Sequence, residues 1–221
     1  MHPLRMLKMF KMQAELDRKI IREKGLEGQD LLPGLILALQ VELGECANEW
    51  RGFKFWSKDQ QPCTERLIEC SLCMGTGDIN YERVAEDAQG SGGHEYIKCE
   101  ECNGEGTIGT KNPLLEEYVD CLHFILSIGN SIGYSTRICN VNSLSRIIKE
   151  VGVEKAFLGV FKSVAFLLTE IDDLGIAYHH YRKIFNGFNE LGKALGFTPK
   201  EIEDAYMKKN AVNHLRQQEG Y

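Results

Sequence analysis

Four carboxylates interrupt two otherwise apolar segments of the sequence. Glu42 and Glu45 lie three residues apart in "LILALQVELGECANE", and Glu117 and Asp120 lie three apart in "LLEEYVDCLHFIL". Residues three apart share a face of an α-helix, so each pair stands where the buried stripe of its helix is expected to continue. Carboxylates that meet in an apolar setting must be protonated, paired with cations or bound to a metal ion. All-oxygen ligation favours Mg²⁺, with Mn²⁺ as a substitute, and such an ion can hold phosphates and activate a water molecule.

A di-iron centre is a competing interpretation of the same helices. Asp120 and His123 form an acid-x-x-His unit of the kind that di-iron carboxylate bundles use. Such a centre needs two of these units, and the sequence holds no second one. The di-iron oxidase is therefore the less favoured alternative. Partly exposed helices whose acidic residues meet solvent are a third interpretation.

Two copies of Cys-x-x-Cys-x-Gly-x-Gly lie between the carboxylate segments, "CSLCMGTG" at 70–77 and "CEECNGEG" at 99–106. Each Cys-x-x-Cys turn can present two thiolates to one ion, and the glycines let the backbone approach the sulfurs closely. The alternatives are a redox dithiol or reduced, unligated thiols. The unit resembles half of the DnaJ-type cysteine-rich domain, which implies a zinc-held hairpin without chaperone activity. We predict a closed structural zinc site formed by Cys70, Cys73, Cys99 and Cys102.

The elements expected to position these groups are helices. Alternating, strand-like runs are few and short, whereas apolar residues recur at helical spacing in six segments. These segments are residues 4–24, 32–50, 113–133, 143–170, 175–195 and 198–219. We therefore expect one all-α helical bundle over residues 1–221. The helical pattern breaks at 59–112, which is rich in Gly, Cys and acidic residues, so residues 63–108 are predicted to form a small zinc-binding insertion.

Composition limits the class of partner. The chain has 26 Lys and Arg against 32 Asp and Glu, a net charge of -6, so neither nucleic acid nor an anionic membrane surface is indicated. No apolar run is long enough to span a membrane, and the N-terminal segment lacks the continuous apolar stretch of a signal peptide. Eight cysteines without a secretory signal are typical of reduced thiols. We expect a soluble, cytoplasmic protein.

Four motifs, in this order, resemble those of the dimeric dUTPases in the all-α NTP pyrophosphatase superfamily. They are "MQAELD" (12–17), "VELGECANEWRGFKFW" (41–56), "EEYVDCLHF" (116–124) and "KNAVNHLRQQEGY" (209–221). The resemblance extends over nearly the whole chain except the insertion. It implies a homodimer that hydrolyses dUTP, and commonly dUDP, to dUMP in a Mg²⁺-dependent reaction, with pyrophosphate released from dUTP. A broader nucleoside triphosphate pyrophosphatase of the MazG type is the nearest alternative.

The resemblance also implies roles for individual residues. The four carboxylates would bind Mg²⁺, and Glu45 would also orient or deprotonate the attacking water. Gln13 would read uracil, while Asp17 stands where many members of that family have asparagine. Further substrate contacts would come from Trp56, His123 and Phe124 at the base and sugar, and from Lys58, Lys209, Asn210, Asn213 and Arg216 at the phosphates.

Overall fold

A computed structural model describes residues 3–80, 95–134, 152–170 and 173–220 of the chain. The helices in these residues are α1 (Pro3–Lys24), α2 (Leu32–Trp50), α3 (Pro113–Ser131), α4 (Val153–Thr169), α5 (Leu174–Ala194) and α6 (Pro199–Gln218). The strands are β1 (Arg66–Glu69) and β2 (Thr107–Lys111), which pair antiparallel. The predicted all-α class is confirmed, since the described residues contain no larger sheet than this two-stranded one. None of the helices within the described ranges is long and apolar enough to cross a membrane.

The chain divides into two compact units. A helical unit consists of residues 1–62 and 114–221, and an inserted unit consists of residues 63–113. In the helical unit α4 packs along α5, α2 packs on α4, and α1 packs on α6. The inserted unit contains β1, β2 and both Cys-x-x-Cys turns.

Buried tyrosines connect the helices of the helical unit. Tyr118 on α3 donates its hydroxyl to the Phe188 carbonyl of α5 at 3.0 Å, and Tyr181 on α5 donates to the Ile125 carbonyl of α3 at 2.8 Å. Gly129 gives this second hydroxyl its space, because a Cβ there would lie 2.3 Å from the Tyr181 oxygen. The tyrosines thus fix α3, which carries two of the predicted metal ligands, against α5.

Within the described residues, the segment predicted to be helical over 143–170 forms α4 from Val153 to Thr169. Gly152 is the N-cap of α4, with φ of -54° and ψ of 152°, and Val153 is the first helical residue. Glycine loses more backbone entropy than other residues on entering a helix, which explains why the helix starts after it. Residues 143–151 of the predicted segment lie outside the described residues.

Candidate active site

Three of the four predicted Mg²⁺ ligands come together in the helical unit. Glu42 on α2, and Glu117 and Asp120 on α3, each offer one carboxylate oxygen, and these three oxygens lie within 4.8 Å of one another. We call these residues the carboxylate cluster. Leu39 and Leu43, on either side of Glu42 in the sequence, are fully buried. The acidic residues interrupt the apolar pattern because carboxylates of two helices face one another at the edge of the core.

Burial and mutual repulsion perturb the carboxylate cluster. Burial, followed by the charges of Asp120 and Glu45, raises the pKa of Glu42 to about 7. Burial and the same two neighbouring charges also raise the pKa of Glu117 to about 7. The pKa of Asp120 is raised by burial as well, although the nearby Lys209 ammonium opposes this effect. Carboxyl groups that retain protons near neutral pH can release them to a divalent cation, which removes the repulsion.

Lys209 on α6 supplies positive charge to the carboxylate cluster. Its ammonium donates to the Asp120 carboxylate at 2.5 Å. Arg216, two turns further along α6, is exposed, and its charge lowers the pKa of Asp120. Asn213 lies half-buried between them on the same helix. Lys209 contacts one of the three carboxyl groups, so this single ammonium does not balance the acidic charge of the whole cluster.

Glu45 occupies a different position from the other predicted ligands. It is exposed on α2 and does not belong to the group of three oxygens that lie within 4.8 Å. Its charge nevertheless raises the pKa of both Glu42 and Glu117, so it lies near the cluster. A carboxylate on the solvent side of such a site can accept a proton from a water molecule.

A buried polar network begins one turn along α3 from Asp120. It consists of Gln13, Asp17, His123, Ser127 and Tyr206. The Gln13 amide nitrogen donates to Asp17 Oδ1 at 2.8 Å and to Ser127 Oγ at 3.0 Å. The Gln13 oxygen accepts from the Tyr206 hydroxyl at 3.1 Å and lies 2.6 Å from His123 Nδ1. Gln13, predicted to read uracil, therefore uses all of its hydrogen-bonding positions inside the protein.

His123 leaves one ring nitrogen for a ligand. Because the Gln13 oxygen can only accept, His123 Nδ1 carries the proton and Nε2 is an acceptor. Burial lowers the pKa of His123 to about 3, so the ring is neutral. Nε2 is buried without a hydrogen-bond partner among the described residues, and so is Nδ2 of Asn210. Buried polar atoms are normally hydrogen-bonded, so these two atoms are exceptions within the described residues.

Trp56 and Lys58 are predicted to bind substrate, but within the described residues neither contacts the carboxylate cluster. Trp56 and Lys58 follow α2 and are exposed, and the ring of Trp56 contacts Phe53 and Phe55. Phe124 is half-buried and packs against the core of the helical unit.

Sequence reasoning assigned no role to two residues of the buried polar network, Ser127 and Tyr206. Helical spacing could have indicated both residues, because Ser127 lies four residues after His123 and Tyr206 lies four residues before Asn210, so each shares a helix face with a predicted substrate contact. The ring of Tyr206 also stacks on His123 with the centroids 4.5 Å apart.

In the inserted unit the thiols of the two Cys-x-x-Cys turns lie together, and we call these four residues the thiolate cluster. Cys70 Sγ lies 3.7 Å from Cys99 Sγ, and Cys73 Sγ lies 3.6 Å from Cys102 Sγ. All four sulfurs are within 4.8 Å of one another, and none forms a disulfide. Zn–S bonds of about 2.3 Å in a tetrahedron require sulfurs about 3.8 Å apart, and the observed spacing fits that geometry.

The two Cys-x-x-Cys-x-Gly-x-Gly units make the same hydrogen bonds, both within each unit and from each unit to the other. In each unit the last glycine N–H donates to the second cysteine sulfur at 3.2 Å. In each unit the first cysteine N–H donates to the last glycine carbonyl of the other unit at 2.9 Å. The sulfur bonds join Gly77 to Cys73 and Gly106 to Cys102, and the carbonyl bonds join Cys70 to Gly106 and Cys99 to Gly77. N–H donors aimed at sulfur stabilise thiolates, the form that binds a metal.

Only glycine fits the last position of each repeated unit. Gly77 and Gly106 have φ of 78° and 74°, in the left-handed region. A Cβ on Gly77 would lie 2.2 Å from the Gly104 carbonyl oxygen, and one on Gly106 would lie 2.2 Å from that of Gly75. The matching glycines in the sequence are therefore explained by the close approach of the two turns.

The fold and the carboxylate cluster define the class as an all-α protein with an acidic centre formed by two of its helices. A sequence model of the dUTPase family matches residues 5–71 and 106–221, and the chain therefore belongs to the all-α dUTPase family. Membership of this family indicates that the protein is an enzyme that hydrolyses dUTP. The match leaves out residues 72–105, which lie in the inserted unit. A comparison with curated proteins found no match.

Proposed function

We propose that the enzyme converts dUTP, and also dUDP, to dUMP in a Mg²⁺-dependent reaction that releases pyrophosphate from dUTP. The observation that supports this proposal is the carboxylate cluster, whose three oxygens from Glu42, Glu117 and Asp120 lie within 4.8 Å of one another. Oxygen ligands in this number suit Mg²⁺ or Mn²⁺. A bound divalent ion would supply positive charge to the phosphate oxygens as negative charge develops on them.

Other residues around the cluster would handle water and phosphate. Glu45 would orient the attacking water and accept its proton, because it is exposed beside the cluster. Lys209 contacts Asp120 at 2.5 Å and would exchange this contact for a phosphate oxygen when substrate binds. Asn213 and Arg216 lie four and seven residues after Lys209 on α6, so all three share one face of the helix. Two cations and an amide on one face would neutralise and orient the phosphate chain.

The polar network would receive the nucleoside. Ser127 lies seven positions after Asp120 on α3, roughly 10 Å at the helical rise per residue. This distance is comparable to that from the α-phosphate of a nucleotide to the far edge of its base. His123 lies between the two in the sequence of α3, and its Nε2 would accept a hydrogen bond from a sugar hydroxyl. Asn210 and Phe124 would also contact the nucleoside.

The thiolate cluster would hold one Zn²⁺ in a structural role. Four sulfurs at the spacing of a tetrahedral site leave no coordination position for water, so this ion would not take part in hydrolysis. Its binding energy would instead stabilise the inserted unit, a segment of 51 residues by its bounds of 63–113 with one short pair of strands. Elemental analysis of protein purified without chelators should give one zinc per chain.

A homodimer is supported by the surface of the helical unit. Leu158, Phe166 and Leu168 on α4 and Ile176 on α5 are between 40% and 66% exposed. Exposed large apolar side chains on a pair of packed helices are typical of a protein interface. The proposed partner is a second copy of the chain, and sedimentation should give twice the chain mass of 25.0 kDa.

A substrate survey tests the proposed reaction. Pyrophosphate release should be measured for the eight common nucleoside triphosphates, with Mg²⁺ and with EDTA. The proposal predicts rapid hydrolysis of dUTP only when Mg²⁺ is present. Similar rates with ATP, GTP and their deoxy forms would instead support a MazG-type pyrophosphatase, and activity that requires bound iron would support the di-iron alternative.

A further inference from the structure

The inserted unit carries the whole net charge of the chain. Residues 63–113 hold 10 of the 32 acidic residues and 4 of the 26 basic ones, so their net charge is -6, equal to that of all 221 residues. The helical unit holds 22 acidic and 22 basic residues, which balance one another. A small unit with so strong an excess of one sign attracts partners of the opposite charge and repels nucleic acid and anionic lipid.

The same unit exposes large apolar side chains that its own core does not bury. Within the described ranges it supplies 37 of 185 residues but 7 of the 17 exposed large apolar ones. Its buried apolar cluster consists of the four cysteines alone in the described part of the chain. An apolar surface of this kind on an acidic unit is typical of a protein-binding site. The seven exposed residues are Leu67, Leu72, Met74, Ile79, Tyr96, Ile97 and Ile108.

A groove lies beside β2 in the inserted unit. Its cavity, of about 440 Å³, is lined by four consecutive residues of β2, by Leu67 on β1 and by residues of the second Cys-x-x-Cys-x-Gly-x-Gly unit. Leu67 and Ile108 are the large apolar side chains of this lining and are 64% and 48% exposed. Glu101 and Glu105 add two exposed carboxylates. No atom lies within 4 Å of the place where a Cβ of Gly109 would be, so the β2 backbone is open there. We call this cavity the β2 groove.

β2 also has an edge that no other strand covers. β1 and β2 form a sheet of two strands in the described residues, so each strand has one edge without a strand beside it. The N–H and C=O groups of such an edge can pair with an added strand, which is one way in which domains bind extended peptides. Residues 108–110 of β2 are exposed. The β2 groove thus combines backbone hydrogen-bonding groups, apolar side chains and carboxylates, a set that suits an extended basic polypeptide.

We propose that the inserted unit binds an extended, basic segment of a partner protein, which pairs with the uncovered edge of β2 as a third strand. Successive side chains of a strand point to opposite sides, so alternating basic and apolar residues form two separate rows. The apolar row would contact Leu67 and Ile108, and the basic row would lie near Glu101 and Glu105. This binding function goes beyond dUTP hydrolysis and does not depend on the proposed reaction.

Fluorescence anisotropy of labelled eight-residue peptides tests the proposal on the intact protein, purified without chelators. One peptide alternates lysine and valine, a second has all its lysines before all its valines, and a third alternates glutamate and valine. The alternating lysine peptide should bind roughly 10-fold more tightly than either of the others, because the second lacks the two rows and the third is repelled by the acidic unit. Salt at roughly 0.5 M should weaken its binding, since exposed charges are then screened.

Two substitutions in the β2 groove locate the binding site. Ile108→Ser removes an apolar contact and should weaken binding of the alternating lysine peptide roughly 10-fold. Glu105→Gln removes one charge and should weaken it roughly 2- to 5-fold. The matched controls are Ile97→Ser and Glu65→Gln, which change exposed residues of the same unit outside the groove and should leave the affinity unchanged. Elemental analysis should give the same zinc content for all four variants.

Each outcome decides the proposal. Equal affinity for the two lysine peptides would overturn strand pairing, and equal losses in Ile108→Ser and Ile97→Ser would overturn the β2 groove as the site. If Ile108→Ser loses zinc, hydrogen exchange on the wild-type protein replaces it. The alternating lysine peptide must then slow exchange of the amides of Thr107–Lys111, and unchanged exchange would refute the proposal. A sedimentation coefficient that changes with Ile108→Ser would show that a second copy of the chain occupies the groove, which would also overturn it.

Discussion

Glu45→Gln separates the role of the attacking water from the binding of Mg²⁺. Glu45 is exposed beside the carboxylate cluster, and its charge contributes to the raised pKa of Glu42 and Glu117. The amide keeps the size of the side chain but cannot accept a proton from water. Loss of a general base costs about 10²- to 10⁴-fold in rate, so kcat for dUTP should fall by this factor. Because less repulsion remains in the cluster, the substitution should not lower the melting temperature of the metal-free protein.

The assay for this prediction is steady-state hydrolysis of dUTP over a series of Mg²⁺ concentrations. Glu45→Gln should lower kcat with a small change in the Mg²⁺ concentration for half-maximal activity. Glu117→Gln removes one of the three clustered oxygens and should raise that concentration strongly. Glu190→Gln, which breaks an exposed ion pair with Lys193 on α5, is the control and should behave as wild type. Turnover of Glu45→Gln near the wild-type value would refute the assignment of Glu45 as the base.

Three further predictions concern the two metal sites and the insertion. Cys102→Ser should lose zinc in elemental analysis, because it removes one of four clustered sulfurs; retained stoichiometric zinc would contradict the ligand set. Replacement of residues 63–108 by a Gly/Ser linker should leave a helical protein that hydrolyses dUTP, because the match to the dUTPase family omits residues 72–105. Circular dichroism and an activity assay test this expectation. A folded but inactive product would show that the insertion takes part in catalysis. Glu42 and Glu117 bind protons more tightly in the folded protein, where their pKa values are about 7, than in the unfolded chain, where they are 4.5. The melting temperature in EDTA should therefore fall as the pH rises from about 4.5 to 7. Mg²⁺ should reverse this fall above pH 7, and a melting temperature that rises over that interval without metal would contradict the raised pKa values.

The carboxylate and thiolate clusters could be predicted because their signals are local. Glu117 and Asp120 are three residues apart on one helix, and each Cys-x-x-Cys turn is complete within four residues. Helical periodicity then indicates which faces are buried, and matching glycines indicate that the two turns approach each other. These patterns do not depend on how distant segments pack.

The polar network could not be derived in the same way because its contacts join distant segments. Gln13 on α1 contacts Ser127 on α3 and Tyr206 on α6, which are separated from it by 114 and 193 positions in the sequence. A glutamine in a helix gives no indication that all of its polar atoms are used internally. Exposure of Glu45 depends likewise on the packing of α2 against other helices, since its spacing from Glu42 is that of a residue on the same face.

The most direct measurement of the central claim is a product analysis of dUTP hydrolysis by phosphorus NMR, with Mg²⁺ and with EDTA. The claim is that the cluster of Glu42, Glu117 and Asp120 binds the metal ion with which dUTP is cleaved between its α and β phosphates. We expect equal amounts of dUMP and pyrophosphate with Mg²⁺, and no reaction in EDTA or with Glu117→Gln at the same Mg²⁺ concentration. Formation of dUDP and inorganic phosphate, or an equal rate in EDTA, would contradict the account.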